Sequence, residues 1–152
     1  MNKIKFIVYF LMINFLFSEK IIIPMDETQS DHLKAYGIAF LSLENNHEVD
    51  WLLNYKGGSF VFKNNQMIEN ECIIRGVSYY KVSSSDIDNI YQIIEENNME
   101  IVLLEKSPKI AVYSPPDKQP WDDAVTLALA YAEITYDVIF DDQILLGELR
   151  NY

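Results

Sequence analysis

Three short segments of this 152-residue chain hold residues whose types and spacing could do chemistry. In Asn54-Tyr55-Lys56-Gly57-Gly58-Ser59, consecutive glycines would let backbone N–H groups close on a phosphate or carboxylate, with Lys56 as counter-charge. A plain β-turn accounts for the same residues. The segment has neither the Gly-x-x-x-x-Gly-Lys-Ser/Thr spacing of a P-loop nor the Gly-x-Gly-x-x-Gly of a dinucleotide fold. In Pro24-Met25-Asp26-Glu27, Asp26 could hold a cation or a ligand hydroxyl, or could cap a helix. The third segment, Ser114 to Asp123, is a proline-rigid loop that brings Trp121, Asp122 and Asp123 to a helix start. There Trp121 would either stack on a ligand or pack the loop down. The ligand-binding candidates are therefore Asp26, Lys56, Gly57, Gly58, Ser59, Trp121, Asp122 and Asp123. These residues assign no catalytic group and no cofactor.

The remaining reactive residues are few. His32 and His47 do not form HExxH, and no Cys/His spacing suits zinc, so no metal site is expected. No Gly-x-Ser-x-Gly or Gly-x-Cys-x-Gly elbow is present. Cys72, the single cysteine, has no partner for an intramolecular disulfide. A helical reading of Glu69 to Arg75 puts it beside Ile73 and Ile74, which makes it a small buried hydrophobe sooner than a nucleophile.

The elements that must position these segments follow from periodicity. Ile21 to Ile23, ended by Pro24, reads as a buried strand, and Leu33, Tyr36, Gly37, Phe40 and Leu43 form a helical stripe through about Gln29 to Glu44. Val49 to Tyr55 and Ser59 to Phe62 read as strands flanking a glycine turn. Asn64-Asn65 would open a short helix that Gly76 closes. A strand at Val77 to Val82 leads to a helix capped within Ser83 to Ser85, with Ile87, Ile90, Tyr91 and Ile94 on one face. Ile101 to Leu104 completes this module. After Lys106-Ser107-Pro108 the rhythm restarts, with a strand at Lys109 to Tyr113 and a helix from about Pro120 whose stripe is Ala124, Leu127, Ala128 and Tyr131. A strand at Tyr136 to Phe140 follows, then a helical turn capped by Asp141-Asp142. Strands alternating with helices predict an α/β fold with a three-layer, mostly parallel sheet built from βαβ units. In such sheets ligands sit beyond the carboxyl ends of the strands, where all three segments fall. The domains expected are a leader over 1–18, an α/β module over 19–106, and the start of a second module over 107–152 that is cut short at the C-terminus.

The first residues have a different character. Lys3 and Lys5 precede an apolar run from Phe6 to Phe17, and Ser18 follows, the layout of a secretory signal peptide. The run falls short of the roughly 20 residues of a membrane span, so contact with a membrane is expected only if the leader stays uncleaved. Cleavage removes two of the 12 basic residues, leaving 10 against 23 acids and a formal charge of −13. Nucleic acid is excluded as a partner, because the basic residues are scattered singly and form no patch for phosphate backbones. The localisation expected is the periplasm or cell envelope, with a small molecule or an envelope component as ligand.

Ile21-Ile22-Ile23-Pro24-Met25-Asp26, His32 to Gly37 and Trp51 to Phe60, together with Lys109 to Tyr113 and Pro120 to Val125, resemble an exported bacterial family labelled asparagine synthetase B. The resemblance spans nearly all of residues 20–152 and implies a class I glutamine amidotransferase-like fold whose active site lies beyond Tyr152. The reaction in that label has no motif here. Asparagine synthetases carry a cysteine after the initiator Met, where this chain has Asn2, and a Ser-Gly-Gly-x-Asp-Ser loop, whose flanking residues Gly57-Gly58-Ser59 lacks. The expectation is an exported scaffold that binds or acts on a small ligand. A partner-binding envelope protein is the alternative, and asparagine synthesis the third.

Overall fold

The computed structural model describes residues 19–115 and 123–152; the expected leader, Trp121 and Asp122 lie outside them. Five strands, β1 (Lys20–Ile23), β2 (Val49–Leu53), β3 (Ser59–Lys63), β4 (Tyr80–Val82) and β5 (Glu100–Leu104), form one sheet in the order β4-β1-β3-β2-β5. Three helices accompany them: α1 (His32–Glu44), α2 (Gln66–Arg75) and α3 (Ser84–Glu96). The α/β class stands, but the mostly parallel sheet does not. Every neighbouring pair in this sheet is antiparallel.

The reason is local. β2 and β3 are joined by residues 54–58, of which Asn54, Lys56, Gly57 and Gly58 all have positive φ, so the chain turns straight back on itself and the two strands become antiparallel neighbours. β3 then occupies the place beside β1 that a simple βαβ unit would give to β2. The first four strands thus have the connectivity of a split βαβ arrangement.

Alternation along the strands supplies two cores. Ile21 and Ile23 of β1, Val49 of β2, and Phe60 and Phe62 of β3 face α1 and α2, meeting Ala35, Ile38, Ala39, Leu43, Ile68 and Cys72. Ile22, Leu52 and Val61 point the other way, onto Ile87, Ile90 and Ile94 of α3. Ile21, Ile22 and Ile23 are all fully buried, each stabilising by about 1.5–3 kcal/mol relative to exposure. A polar clamp also fastens α3. Tyr91 donates to Asp50 at 2.6 Å, and Lys20 reaches the same carboxylate at 3.4 Å and the Tyr91 hydroxyl at 3.0 Å.

The caps explain the helix limits. Asp31, not Asp26, caps α1, accepting from the Lys34 N–H at 3.0 Å. Asn65 opens α2 and Gly76, at φ 69°, closes it. At α3, Ser83 and Asp86 satisfy each other's backbone N–H groups in a capping box.

After residue 104 a second, two-stranded sheet forms from β6 (Ala111–Tyr113) and β7 (Asp137–Ile139), parallel to one another with α4 (Ala124–Ala132) between them in sequence. This is the one parallel βαβ unit among the described residues. A short α5 (Asp141–Leu145) and a 3-10 turn at Glu148–Asn151 follow. The stripe expected on α4 is corrected: Leu127 and Tyr131 are more than half exposed, while Thr126 and Ala132 are buried. α4 turns its small side toward α1, where the Ala132 carbonyl rests against Gly37. Arg75 secures the joint, pairing with Glu71 at 2.8 Å and Glu133 at 3.0 Å and donating to the Ala132 carbonyl at 3.3 Å. Flanked in this way, α1 buries Ala35, Ile38, Ala39 and Ser42, and two members of its expected stripe, Leu33 and Tyr36, stay 44% exposed.

Candidate functional site

β1 and β2 run parallel with β3 between them, so their carboxyl ends and the start of β4 lie at one end of the sheet. This brings the Pro24–Asp26 segment against the Asn54–Ser59 turn: the Met25 N–H donates to the Lys56 carbonyl at 3.0 Å. The third segment is not joined to them by any described contact. Trp121 and Asp122 are not described, and Asp123 accepts from the Val125 N–H at 2.9 Å as the N-cap of α4.

Within the turn, the glycines and the serine are structural. Gly57 has φ 77°, and a Cβ there would overlap the Met25 carbonyl. Gly58, at φ 97°, sits at the edge of the Trp51 ring, whose Nε1 donates to its carbonyl at 3.0 Å. Ser59 is fully buried and donates to the Tyr55 carbonyl at 3.1 Å. These contacts pack the turn down and leave Lys56 as the charged side chain it presents.

Lys56 has a backbone φ of 44°, a left-handed conformation that costs a residue with a Cβ about 1–2 kcal/mol. Its ammonium sits 4.9 Å from the centroid of the Tyr80 ring. Tyr80 Oη is buried and completes no hydrogen bond. The phenol oxygen is still close enough to favour the charged ammonium and holds the Lys56 pKa above its ordinary value, against a smaller effect of burial. Burial, with the neighbouring Tyr80, raises the Tyr55 phenol. Asp26 is lowered, first by the Thr28 hydroxyl and N–H that its carboxylate accepts, and further by the Lys56 charge. The His32 ring Nε2 lies 3.2 Å from the Asp26 carbonyl oxygen. The structure therefore gathers an acid, a base, two phenols and an imidazole around the turn.

Asp26 and Lys56 stand out in the sequence by their chemistry, whereas Tyr55, Tyr80, His32 and Gln29 have no spacing there that marks them for this site. Gln29 is 6% exposed and ties the β1–α1 loop down, donating to the Pro24 carbonyl at 2.7 Å and accepting from the Ser78 N–H at 2.8 Å. A lone glutamine among potential caps has no spacing to mark it. Tyr80 lies within a strand, where alternation shows a face but not which neighbour lacks a partner.

Other reactive groups lie elsewhere. Cys72 is fully buried with its thiol pushed up to about 12 by burial, so it is core and carries no thiolate at neutral pH. Among the described residues no group of three His, Cys, Asp or Glu could hold a metal ion, and no helix is long and apolar enough to cross a membrane. Two clefts open beside the sheet. One, of about 530 Å³, is lined by His47, Glu48, Lys63 and Gln66 at the opposite end of the sheet, where Lys63 already pairs with Glu48 at 3.7 Å. The other, of about 540 Å³, runs between α3 and β5. No family model, curated protein or solved structure matches the chain.

Proposed function

We propose that the chain is an exported binding module that takes a small carboxylate or phosphate at the Lys56 turn. The observation that carries this reading is Lys56 itself, held in a strained conformation with its charge over Tyr80, whose buried hydroxyl completes no hydrogen bond. A buried polar group without a partner costs about 1–3 kcal/mol, and strain of this kind concentrates at binding sites. A ligand oxygen placed between the Lys56 ammonium and the Tyr80 hydroxyl would give that hydroxyl a partner and meet the ammonium charge, and Asp26 would accept from a hydroxyl or amino group on the same ligand. Perturbed acids and bases at one spot support the same site.

Export to the periplasm or cell envelope belongs to this reading and rests on Lys3, Lys5, the Phe6–Phe17 run and Ser18. So does the resemblance to the exported family labelled asparagine synthetase B. Its reaction does not, because Gly57-Gly58-Ser59 lacks the flanking serine and aspartate of a pyrophosphate loop and packs the turn down, and Cys72 is buried and protonated.

The test is a titration of the protein with phosphate and with succinate, followed by NMR at fixed ionic strength. Shifts centred on Lys56, Tyr55 and Tyr80, and absent from Lys56→Met, are the expected result. Shifts centred on His47 and Lys63, or none at tens of millimolar, would reject the site.

A further inference from the structure

We propose that the open edge of β5 takes up an extended, basic segment of a partner protein as an added strand. Among the described residues β5 pairs with β2 alone, so it ends the sheet with one row of backbone N–H and C=O groups facing outward. Natural edges are commonly blunted by brevity, proline, an inward-pointing charge or a central lysine. The opposite edge, β4, is only three residues long and carries Lys81 at its centre. β5 is five residues long and reads Glu-Ile-Val-Leu-Leu, with none of those devices in its interior.

Its side chains point to the same use. Ile101 lies opposite Leu52, and Leu103 opposite Asp50, which places both on the α3 face of the sheet. They are 38% and 49% exposed, an alternating apolar pair along an open edge. Beside Ile101 a groove of about 540 Å³ runs between α3 and the start of β5, with Tyr91, Ile94 and Met99 among its apolar walls. An added strand would hydrogen-bond to β5 and drop alternate side chains into this groove, the mode in which main-chain bonds give affinity and side-chain pockets give specificity.

Charge selects the occupant. Asp88, Glu95 and Glu100 line the groove with no basic residue among its walls, and the opposite charges of Glu105 and Lys106 after the strand offset one another. A second copy pairing edge to edge would bring two such acidic rims together in a chain of formal charge −11. A segment alternating Val or Ile with Lys or Arg matches both the apolar pair and the rim.

The probe is a fluorescein-labelled peptide, Lys-Val-Lys-Val-Arg-Val-Lys, titrated with the full chain and read by anisotropy. Saturable binding, weakened on the order of tenfold or more by Leu103→Lys, is expected, as is slowed amide exchange in β5. Glu95→Gln with Glu100→Gln should weaken binding several-fold and flatten its salt dependence. An unchanged melting temperature of each variant shows that the fold is intact. Equal binding of a charge-matched peptide with glycine in place of valine, or unaltered binding by Leu103→Lys, would overturn the proposal. So would a concentration-dependent dimer that Leu103→Lys dissolves, which would identify the occupant as a second copy.

Discussion

Gly37 of α1 lies directly against the carbonyl of Ala132 at the end of α4, and a Cβ at Gly37 would overlap that oxygen. The same carbonyl accepts from Arg75 at 3.3 Å, so three helices meet where one of them has no side chain. Gly37→Ala should gain roughly 1 kcal/mol in helix propensity and lose about 1–3 kcal/mol to overpacking. The expected outcome is a small loss of global stability with a large, local loss of protection. Amide exchange in α4 should speed up at least several-fold while exchange in β1 and β3 holds. Uniform change across the sheet and α4 would mean that the contact at Gly37 does not govern docking.

Lys56 offers the opposite trade. Its left-handed backbone costs about 1–2 kcal/mol, which glycine avoids, and glycine gives back roughly 0.5–1 kcal/mol through the greater freedom of the unfolded chain. Lys56→Gly should therefore raise the urea midpoint slightly while removing phosphate binding. A lowered midpoint would show that the ammonium over Tyr80 stabilises the fold by more than its backbone strains it.

What was legible beforehand shows where local rules suffice. Asn65, Ser83 and Gly76 marked helix ends through hydrogen bonds made within a few residues, and the structure uses all three as caps. Ile87, Ile90 and Ile94 were readable because α3 has one buried face. α4 misled for the converse reason: Leu127 stays exposed and Tyr131 lies along the N-terminus of α1, bonding Asp31 through its hydroxyl, while close approach to Gly37 favours the small Ala132 at the contact itself. Strand direction was also hidden, since alternation in β1 and β2 is the same whether β3 lies between them or not. At the site, Lys56 and Asp26 announced themselves by chemistry. Tyr80 could be found only once β4 was placed beside β1, twenty-odd residues after the turn it completes.

Acid should loosen the joint at which Asp31 ties two helices together. Its carboxylate caps α1 through the Lys34 N–H at 3.0 Å and accepts from the Tyr131 hydroxyl of α4. Burial works to raise its pKa, but the Lys34 and Tyr131 hydrogen bonds and the Lys34 charge outweigh it, leaving the value below 3.8. A depressed folded-state pKa means stability that is present above the unfolded value and lost as pH falls through the folded one. The loss should therefore develop below about pH 4. The site is partly solvated, so the contribution should be about 1 kcal/mol or less. Asp31→Asn retains a good N-cap while removing the charge, and should melt below the native chain at pH 6 but converge with it near pH 2. Tyr131→Phe should remove part of the same difference. A gap that stays constant from pH 6 to pH 2 would assign the effect of Asp31 to packing and leave its charge without a role in holding α4.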